Sequence, residues 1–358
     1  MRAPRGAMAA VLALAMLPSL ASAKPGDLIV GDTGDDGRIL AVDPNGAVRT
    51  LSDDPDLLFP AGTTFSAAGR LFAADYRGFG DDGAVFSVNP LTGAATGFED
   101  EGLLDQPVHV DYHPNGFLYV PDFQTDVLAR MNPTTGAAVS VGDFDDPGFD
   151  DPISVAVLPD GSMVVGRNVN TEGSLLRVQP NGAATPISTT GDPVAGPYGI
   201  AADARGRVLI ADQTANAILR MVPRTGRVTR LAGDGLLTWT LQPAELPSGK
   251  IAVANGEDGI VIVNPKTGGQ RQLVLKDEID EIGFAEGISV EPPKCFGRRA
   301  NIVGTDKRDR LKGSKYPDVI AGLGGADVIQ GLGARDRLCG DTGRDKVRGG
   351  AGNDRERP

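Results

Sequence analysis

Two histidines, two cysteines and one tryptophan are all that this 358-residue chain holds of those types, and aromatics of every kind make up 5%. The two cysteines, Cys295 and Cys339, show neither metal-ligand nor redox spacing, which excludes a cysteine-built metal centre or a dithiol motif. No stretch reads as a long amphipathic helix, so helical and α/β architectures drop out. No apolar run reaches membrane-spanning length; the longest, from Ala7 to Leu17, is too short. Basic charge is also in deficit, with a formal net charge of -12, and a focused negative potential disfavours nucleic acid and anionic membrane.

Glycine and aspartate are abundant, and over the last 55 residues they keep step. Glycine falls every nine residues at Gly304, Gly313, Gly322, Gly331, Gly340 and Gly349. An aspartate follows each at one offset, as Asp309, Asp318, Asp327, Asp336, Asp345 and Asp354. Two positions after each Asp comes an apolar residue, Leu311, Ile320, Ile329, Leu338 and Val347, until Glu356 breaks the series. Such a period fits a solenoid half-turn: a bend around an ion, then a short strand whose apolar side chain points inward. Glycine permits the positive φ of the bend, and carboxylate and carbonyl oxygens are hard ligands, so the implied ion is calcium.

The stretch resembles the RTX, or hemolysin-type, calcium-binding nonapeptide repeat, G-G-x-G-x-D-x-U-x, most closely at Gly349-Gly350-Ala351-Gly352-Asn353-Asp354. That resemblance implies a parallel β-roll with two nonapeptides per turn and ions between repeats two apart. The metal pairs would be Asp309 with Asp327, Asp318 with Asp336, Asp327 with Asp345, and Asp336 with Asp354. Gly322, Gly324, Gly331, Gly333, Gly340 and Gly349 would shape the bends. Lys307 and Tyr316 stand where the family pattern has glycine, and Pro317 removes a donor, so the early repeats depart from it. A roll held by its apolar ladder with few ions is the other reading.

At the opposite end, Arg2 and Arg5, the apolar run and Ala21-Ser22-Ala23 read as a signal peptide over residues 1–23, which makes the mature chain an exported one. In that compartment Cys295 and Cys339 are expected to pair, pinning a connector to the roll.

Residues 24–294 repeat in six units. A Pro-x-Thr-Gly or Pro-Asn-Gly turn recurs with its proline at Pro44, Pro90, Pro133, Pro180, Pro223 and Pro265. A run of the type Val-Leu-Ile-Ala-Asp ends at Asp32, Asp75, Asp122, Arg167, Asp212 and Asn255. Four short strands per unit is the pattern of a β-propeller blade. Pro197 to Asp212 resembles an NHL repeat, with Pro107 to Asp122 a looser copy. Phe284 to Val290 is a lone inner strand, and Asp27 to Leu51 supplies only three outer ones. The sequence therefore predicts an all-β chain: six blades closed by joining the two ends, with the roll over residues 295–358.

The propeller has 38 acidic against 19 basic residues, mostly in the loops between strands b and c and between blades; the tail from Cys295 has 14 basic and nine acidic. Those loops, Asp35-Asp36, Asp81-Asp82, Glu99 to Glu101, Asp145-Asp146, Asp150-Asp151 and Asp277 to Glu281 among them, either stay solvated or bind divalent cations or the basic tail. Around the channel mouth the repeat aligns Ala61, Val108, Ile153, Tyr198, Leu241 and Glu286. The next ring is Gly62, His109, Ser154, Gly199, Gln242 and Gly287. The body resembles the calcium-dependent gluconolactonase and senescence-marker family, whose metal ligands stand at those strand starts, but only Glu286 keeps one. Streptogramin lyases, which it also resembles, imply a His and Glu pair, for which Glu286 and His109 are the candidates. The landmarks Asp75, Asp122, Arg167, Asp212 and Asn255 are candidate rim ligands, or ties for their own turns. Tyr198 and Trp239, with Tyr76, Phe79 and Phe123, either grip a carbohydrate or protein ligand or pack between blades. The expected protein is a secreted, monomeric calcium binder with a propeller recognition body; a lactonase or lyase at the channel mouth is the alternative.

Overall fold

In a computed structural model, described for residues 23–34, 37–77, 83–98, 102–141, 151–169, 172–274 and 282–358, the chain is all-β. Six antiparallel sheets surround one axis. Blade 1 joins the two ends of the body: its innermost strand, Ala285–Val290, pairs with Leu28–Asp32, followed outward by Arg38–Val42 and Val48–Ser52. The inner strands of blades 2 to 6 are Pro60–Phe65, Asp111–Tyr112, Pro152–Val157, Pro197–Ala202 and Gln242–Glu245. Blade 5 gains a fifth strand, Thr190–Gly191, lying parallel to its outermost one, which the repeat does not foretell.

The recurring turn glycine is a backbone requirement. Gly46, Gly93, Gly136, Gly182, Gly226 and Gly268, equivalent positions between strands c and d, all take φ between 65° and 95°. Before the proline, Asn89, Asn132 and Asn264 accept the N–H two residues on, closing the turn from the side chain. Second strands such as Leu118–Asp122 and Val208–Asp212 are buried throughout, because each blade is covered on both faces. The core accordingly lies between blades: Phe72, Ala74 and Val85 of blade 2 pack on Leu118, Val120 and Met131 of blade 3.

After blade 1 closes, a hairpin of Lys294–Cys295 and Arg298–Arg299 leads into a parallel solenoid of about three turns. One sheet stacks Ile302–Val303, Val319–Ala321, Arg337–Cys339 and Arg355–Arg357; the other stacks Arg310–Lys312, Val328–Gly333 and Lys346–Ala351. Register advances by two nonapeptides, Ile302 opposite Ile320 and Leu311 opposite Ile329. Ile302, Leu311, Ile320, Ile329 and Leu338 form the buried ladder, with Val347 against it. Glu356 then takes the next ladder position and accepts the Gly349 N–H, ending the stack with a polar group. The Cys295–Cys339 disulfide fixes the hairpin to the solenoid wall.

The roll sits on the face of the a-to-b turns. Asp306 N–H donates to Pro247 O, Lys307 Nζ to Ser248 O, and Arg299 to Ala67 O and Gly69 O. Tyr316 stands edge-on to His113, 5.1 Å between ring centres. Docking of the basic tail on the acidic face is thereby overturned. Its direction is set by chain connection: the inner strand of blade 1 exits on the turn side, and Arg299 is captured there by Glu291. Residues 1–22 of the expected signal peptide, Phe79 and most of the acidic loop clusters lie outside the described residues.

Candidate calcium site and propeller cavities

The last four roll aspartates each reach back one full turn. Asp327 Oδ1 accepts the Asp309 N–H at 2.8 Å, and the same bond joins Asp336 to Asp318, Asp345 to Asp327 and Asp354 to Asp336, at 2.8 to 3.0 Å. These are the four pairs expected from the repeat.

The second carboxylate oxygen divides the repeats into two kinds. In the first two, Asp309 Oδ2 accepts both the N–H and the hydroxyl of Thr305, and Asp318 Oδ2 accepts both from Ser314. In the later ones, Oδ2 of Asp327, Asp336 and Asp345 is buried with no hydrogen-bond partner. A buried anionic oxygen without a partner is costly, so these three atoms mark where the bend suits a cation. Burial, then the neighbouring aspartates, pushes the Asp327 and Asp336 carboxyls up to about 6.

The backbone divides at the same place. Leu323, Leu332, Asp341 and Gly350, second in their repeats, have φ of 67° to 99°. Gly325, Ala334, Gly343 and Gly352, fourth in theirs, have φ of 71° to 154°. Thr305, Ser314, Lys307 and Tyr316 escape positive φ, so the strain foreseen at Lys307 and Tyr316 is avoided by a different bend in which a hydroxyl replaces the open site. A Cβ at Gly322, Gly331, Gly340 or Gly349 would overlap Oδ2 of its own repeat's aspartate, which accounts for the strict first-position glycine. Gly324 and Gly333 carry no such restriction; Gly325, Gly343 and Gly352, absent from the expected metal set, are the ones in the left-handed region. The family's own fourth-position glycine was the signal for them. The residues present therefore fit calcium: Asp327 with Asp345 on one edge and Asp336 with Asp354 on the other would hold it, and the ion would supply the positive charge that the bends lack.

At the propeller, the landmark side chains are loop clamps. Asp212 accepts the N–H groups of Ala195, Gly196 and Ala215; Asp122 those of Asp105, Gln106, Gln124 and Thr125; Asp75 those of Leu58, Phe59 and Arg77. Asn255 does the same for Thr238 and Trp239. All four are fully buried, and none lines the mouth. Their oxygens are engaged by the preceding interblade loop as well as by their own turn. In blade 4 a cation cannot accept N–H bonds; Arg167 is buried opposite Pro152, and Asp126 receives the interblade Asp151 N–H instead.

His109 and Glu286 are not brought together. The channel holds two cavities with no residue in common. His109 lines a chamber of about 340 Å³ under the roll, together with Asp111, Thr63, Gln242, Ser289 and the roll's Ile302. Its Nδ1 faces the Val155 N–H at 3.4 Å and its Nε2 the Gln242 amide, while burial pulls its pKa down to about 4. Asp111 similarly accepts the Val157 N–H at 2.8 Å and the Thr64 hydroxyl at 3.2 Å. Both side chains tie inner strands of neighbouring blades.

Glu286 lines the other cavity, about 380 Å³, at the open mouth with Thr33, Tyr76, Tyr198, Gln213, Trp239, Leu241 and Phe284. Ala61, Val108 and Ile153 pack together across the mouth, with Phe123 against them. Tyr198 and Trp239, foreseen at the rim, do meet in this cavity.

The RTX calcium-binding nonapeptide repeat family matches residues 303–338 and 330–355, in four copies. No curated protein matches the sequence. Among solved structures, a chain of a nidogen/laminin complex is similar over 74% of this chain and 97% of its own, with TM-score 0.62 and 13% identity. A streptogramin B lyase is similar over 65% and 74%, with TM-score 0.50 and 14% identity. A catalytically inactive virginiamycin B lyase from Staphylococcus aureus, solved with quinupristin, is similar over 70% and 85%, with TM-score 0.51 and 12% identity. At such identities these likenesses show the propeller fold alone. The terminal repeats are calcium-binding RTX repeats. Among the described residues no helix is long and apolar enough to cross a membrane.

Proposed function

We propose that a chain carrying RTX calcium-binding repeats behind a six-bladed propeller is an exported, monomeric protein in which residues 24–294 present a recognition surface at the open mouth and residues 295–358 form a calcium-dependent closure of the other end. The signal-peptide pattern of residues 1–23 supports export. The observation that carries the reading is the set of unpartnered Oδ2 atoms on Asp327, Asp336 and Asp345. Calcium enters between Asp327 and Asp345 and between Asp336 and Asp354, whereas the hydroxyls of Thr305 and Ser314 already serve Asp309 and Asp318. Calorimetric titration of the whole mature chain tests this: about two ions per chain are expected from the open bends. Four ions would mean that the capped repeats open, and none would end the reading.

The alternative is a lactonase or lyase acting at the mouth through Glu286, prompted by the fold shared with streptogramin lyases. Among the described residues lining its cavity Glu286 has no second carboxylate beside it, and His109 faces the other cavity. A lactone and cyclic-depsipeptide panel discriminates the two. Turnover that disappears in Glu286→Gln would establish the enzyme.

A further inference from the structure

We propose that the open mouth of the propeller binds an organic ammonium group, seated between the Glu286 carboxylate and the faces of Tyr76, Tyr198, Trp239 and Phe284. This rests on the recognition reading above and gives its ligand a chemical class.

Aromatic side chains are scarce in this chain, yet half of the eight described residues lining the cavity are aromatic. Trp239 and Phe284 meet edge-to-face at 83° with centres 5.6 Å apart, forming a corner. Gly256 lies beneath that corner, where a Cβ would press on both rings at 3.3 Å. Trp239 remains 47% exposed, so its indole is presented and not consumed in packing. Tyr76 is steadied from behind by Phe59, at 5.2 Å between centres.

Into this apolar cup projects one carboxylate. Glu286 is buried; Tyr198 OH donates to its Oε1 and Thr33 Oγ1 donates to its Oε2 at 3.2 Å. Each oxygen thus has one donor and a second lone-pair direction for another. Among the described residues no Lys or Arg lines the cavity; Arg77, stacked on Phe59 behind Tyr76, acts on it only from outside. Burial pushes the Glu286 carboxyl up, and burial, then the Glu286 charge, pushes Tyr76 to about 12. A fixed anion enclosed by π faces has one complementary guest: a cation with an apolar skin, attracted by ring quadrupoles and by the carboxylate together. A bare divalent ion would need several more oxygen ligands than the cup offers.

The chain's only tryptophan is in the cup, so its fluorescence reports occupancy. The calcium-loaded full mature protein is titrated with tetramethylammonium, with n-butylammonium and with an acetylated, amidated trimethyl-lysine peptide. The neutral control is 3,3-dimethylbutanol. Saturable change with the ammonium compounds and about tenfold weaker response to the neutral isostere is expected. A peptide binding much more tightly than the free amines identifies a protein source, and equal affinities identify a small amine; both uphold the proposal. Glu286→Gln lowers affinity about tenfold with calcium stoichiometry unchanged, which certifies folding. Trp239→Leu, followed by calorimetry, does likewise. The proposal is overturned if the alcohol binds as well as the cations, or if no ammonium compound binds. In the second case, binding of neutral oligosaccharides or peptides at Trp239 would leave the recognition reading standing, and silence across that panel would end both.

Discussion

Aspartate recurs with the repeat in both halves of the molecule, at a strict nine-residue step in the roll and once in most blades of the propeller, and the two halves use it in opposite ways. In the propeller, Asp212 has both oxygens engaged by backbone N–H groups, so the carboxylate completes the fold with protein atoms alone. In the roll, Asp327 has one oxygen bonded and the other bare. The difference teaches that a periodic carboxylate is structural where loop amides converge on it, and becomes a cation site where the bend turns its amides away.

The largest expected break in that contrast is covalent. Replacing Cys339 by Ser opens a cross-link spanning 44 residues and should cost the roll about 4 kcal/mol in the chain-entropy account. Urea unfolding followed by Trp239, in the propeller, should keep its midpoint, while far-UV dichroism shows an earlier transition; one coincident shift would mean that the two halves unfold together.

Next comes Asp212→Ala, which strands buried loop N–H groups and should destabilise the propeller by about 3 kcal/mol with or without calcium. Asp327→Asn in the roll should behave differently. In chelator it should be neutral or stabilising, because an uncompensated charge is removed, and in calcium it should lose about one ion per chain by calorimetry. Equal losses in chelator from both substitutions would erase the distinction drawn here.

Proton linkage sharpens the contrast by sign. Asp327 and Asp336 have folded values near 6, above the ordinary 3.8, so their contribution is present below about pH 3.8 and lost as pH rises through 6. The calcium-free roll should melt at lower temperature at pH 7.5 than at pH 4.5, and calcium should bind with proton release and weaken as pH falls below 6. In the propeller, burial depresses His113 and takes His109 to about 4. Their contribution is present above the ordinary 6.5 and lost as pH falls toward 4. Burial raises the propeller's Asp111 to about 6, which acts against the histidines, so in chelator the melt read at Trp239 should move less across this range than the roll's dichroism transition; a larger shift at Trp239 would refute the assignment. The smallest effect is expected from Thr305→Ala, which removes one hydroxyl donor from Asp309, costs about 1 kcal/mol and leaves ion stoichiometry unchanged.

Much of this was legible in the sequence. The six turn prolines and glycines gave the blade count, the unmatched strands at Leu28 and Ala285 gave the closure, and the nine-residue step gave the solenoid, while its Asp pairs came from the resemblance to RTX repeats. Rim roles for Asp75, Asp122, Asp212 and Asn255 were not borne out in the geometry, because spacing shows that a side chain recurs but not which loop amides fold onto it. The same ambiguity hid the caps at Thr305 and Ser314, whose hydroxyls stand in the sequence one step after the first glycine of their repeats.

What the chain determined by itself is what is local and repeated: strand, turn, bend and repeat register, since each depends on φ, on alternation and on a short fixed period; the pairing of Cys295 with Cys339, 44 residues apart, followed instead from there being two cysteines in an exported chain. Tertiary structure alone decided which face receives the roll, that His109 and Glu286 open into separate cavities, and that four aromatics from distant blades converge on one carboxylate. Those outcomes depend on where a closed ring brings together segments more than 250 residues apart, as Thr33 and Glu286 are, and no periodic pattern encodes a contact made once.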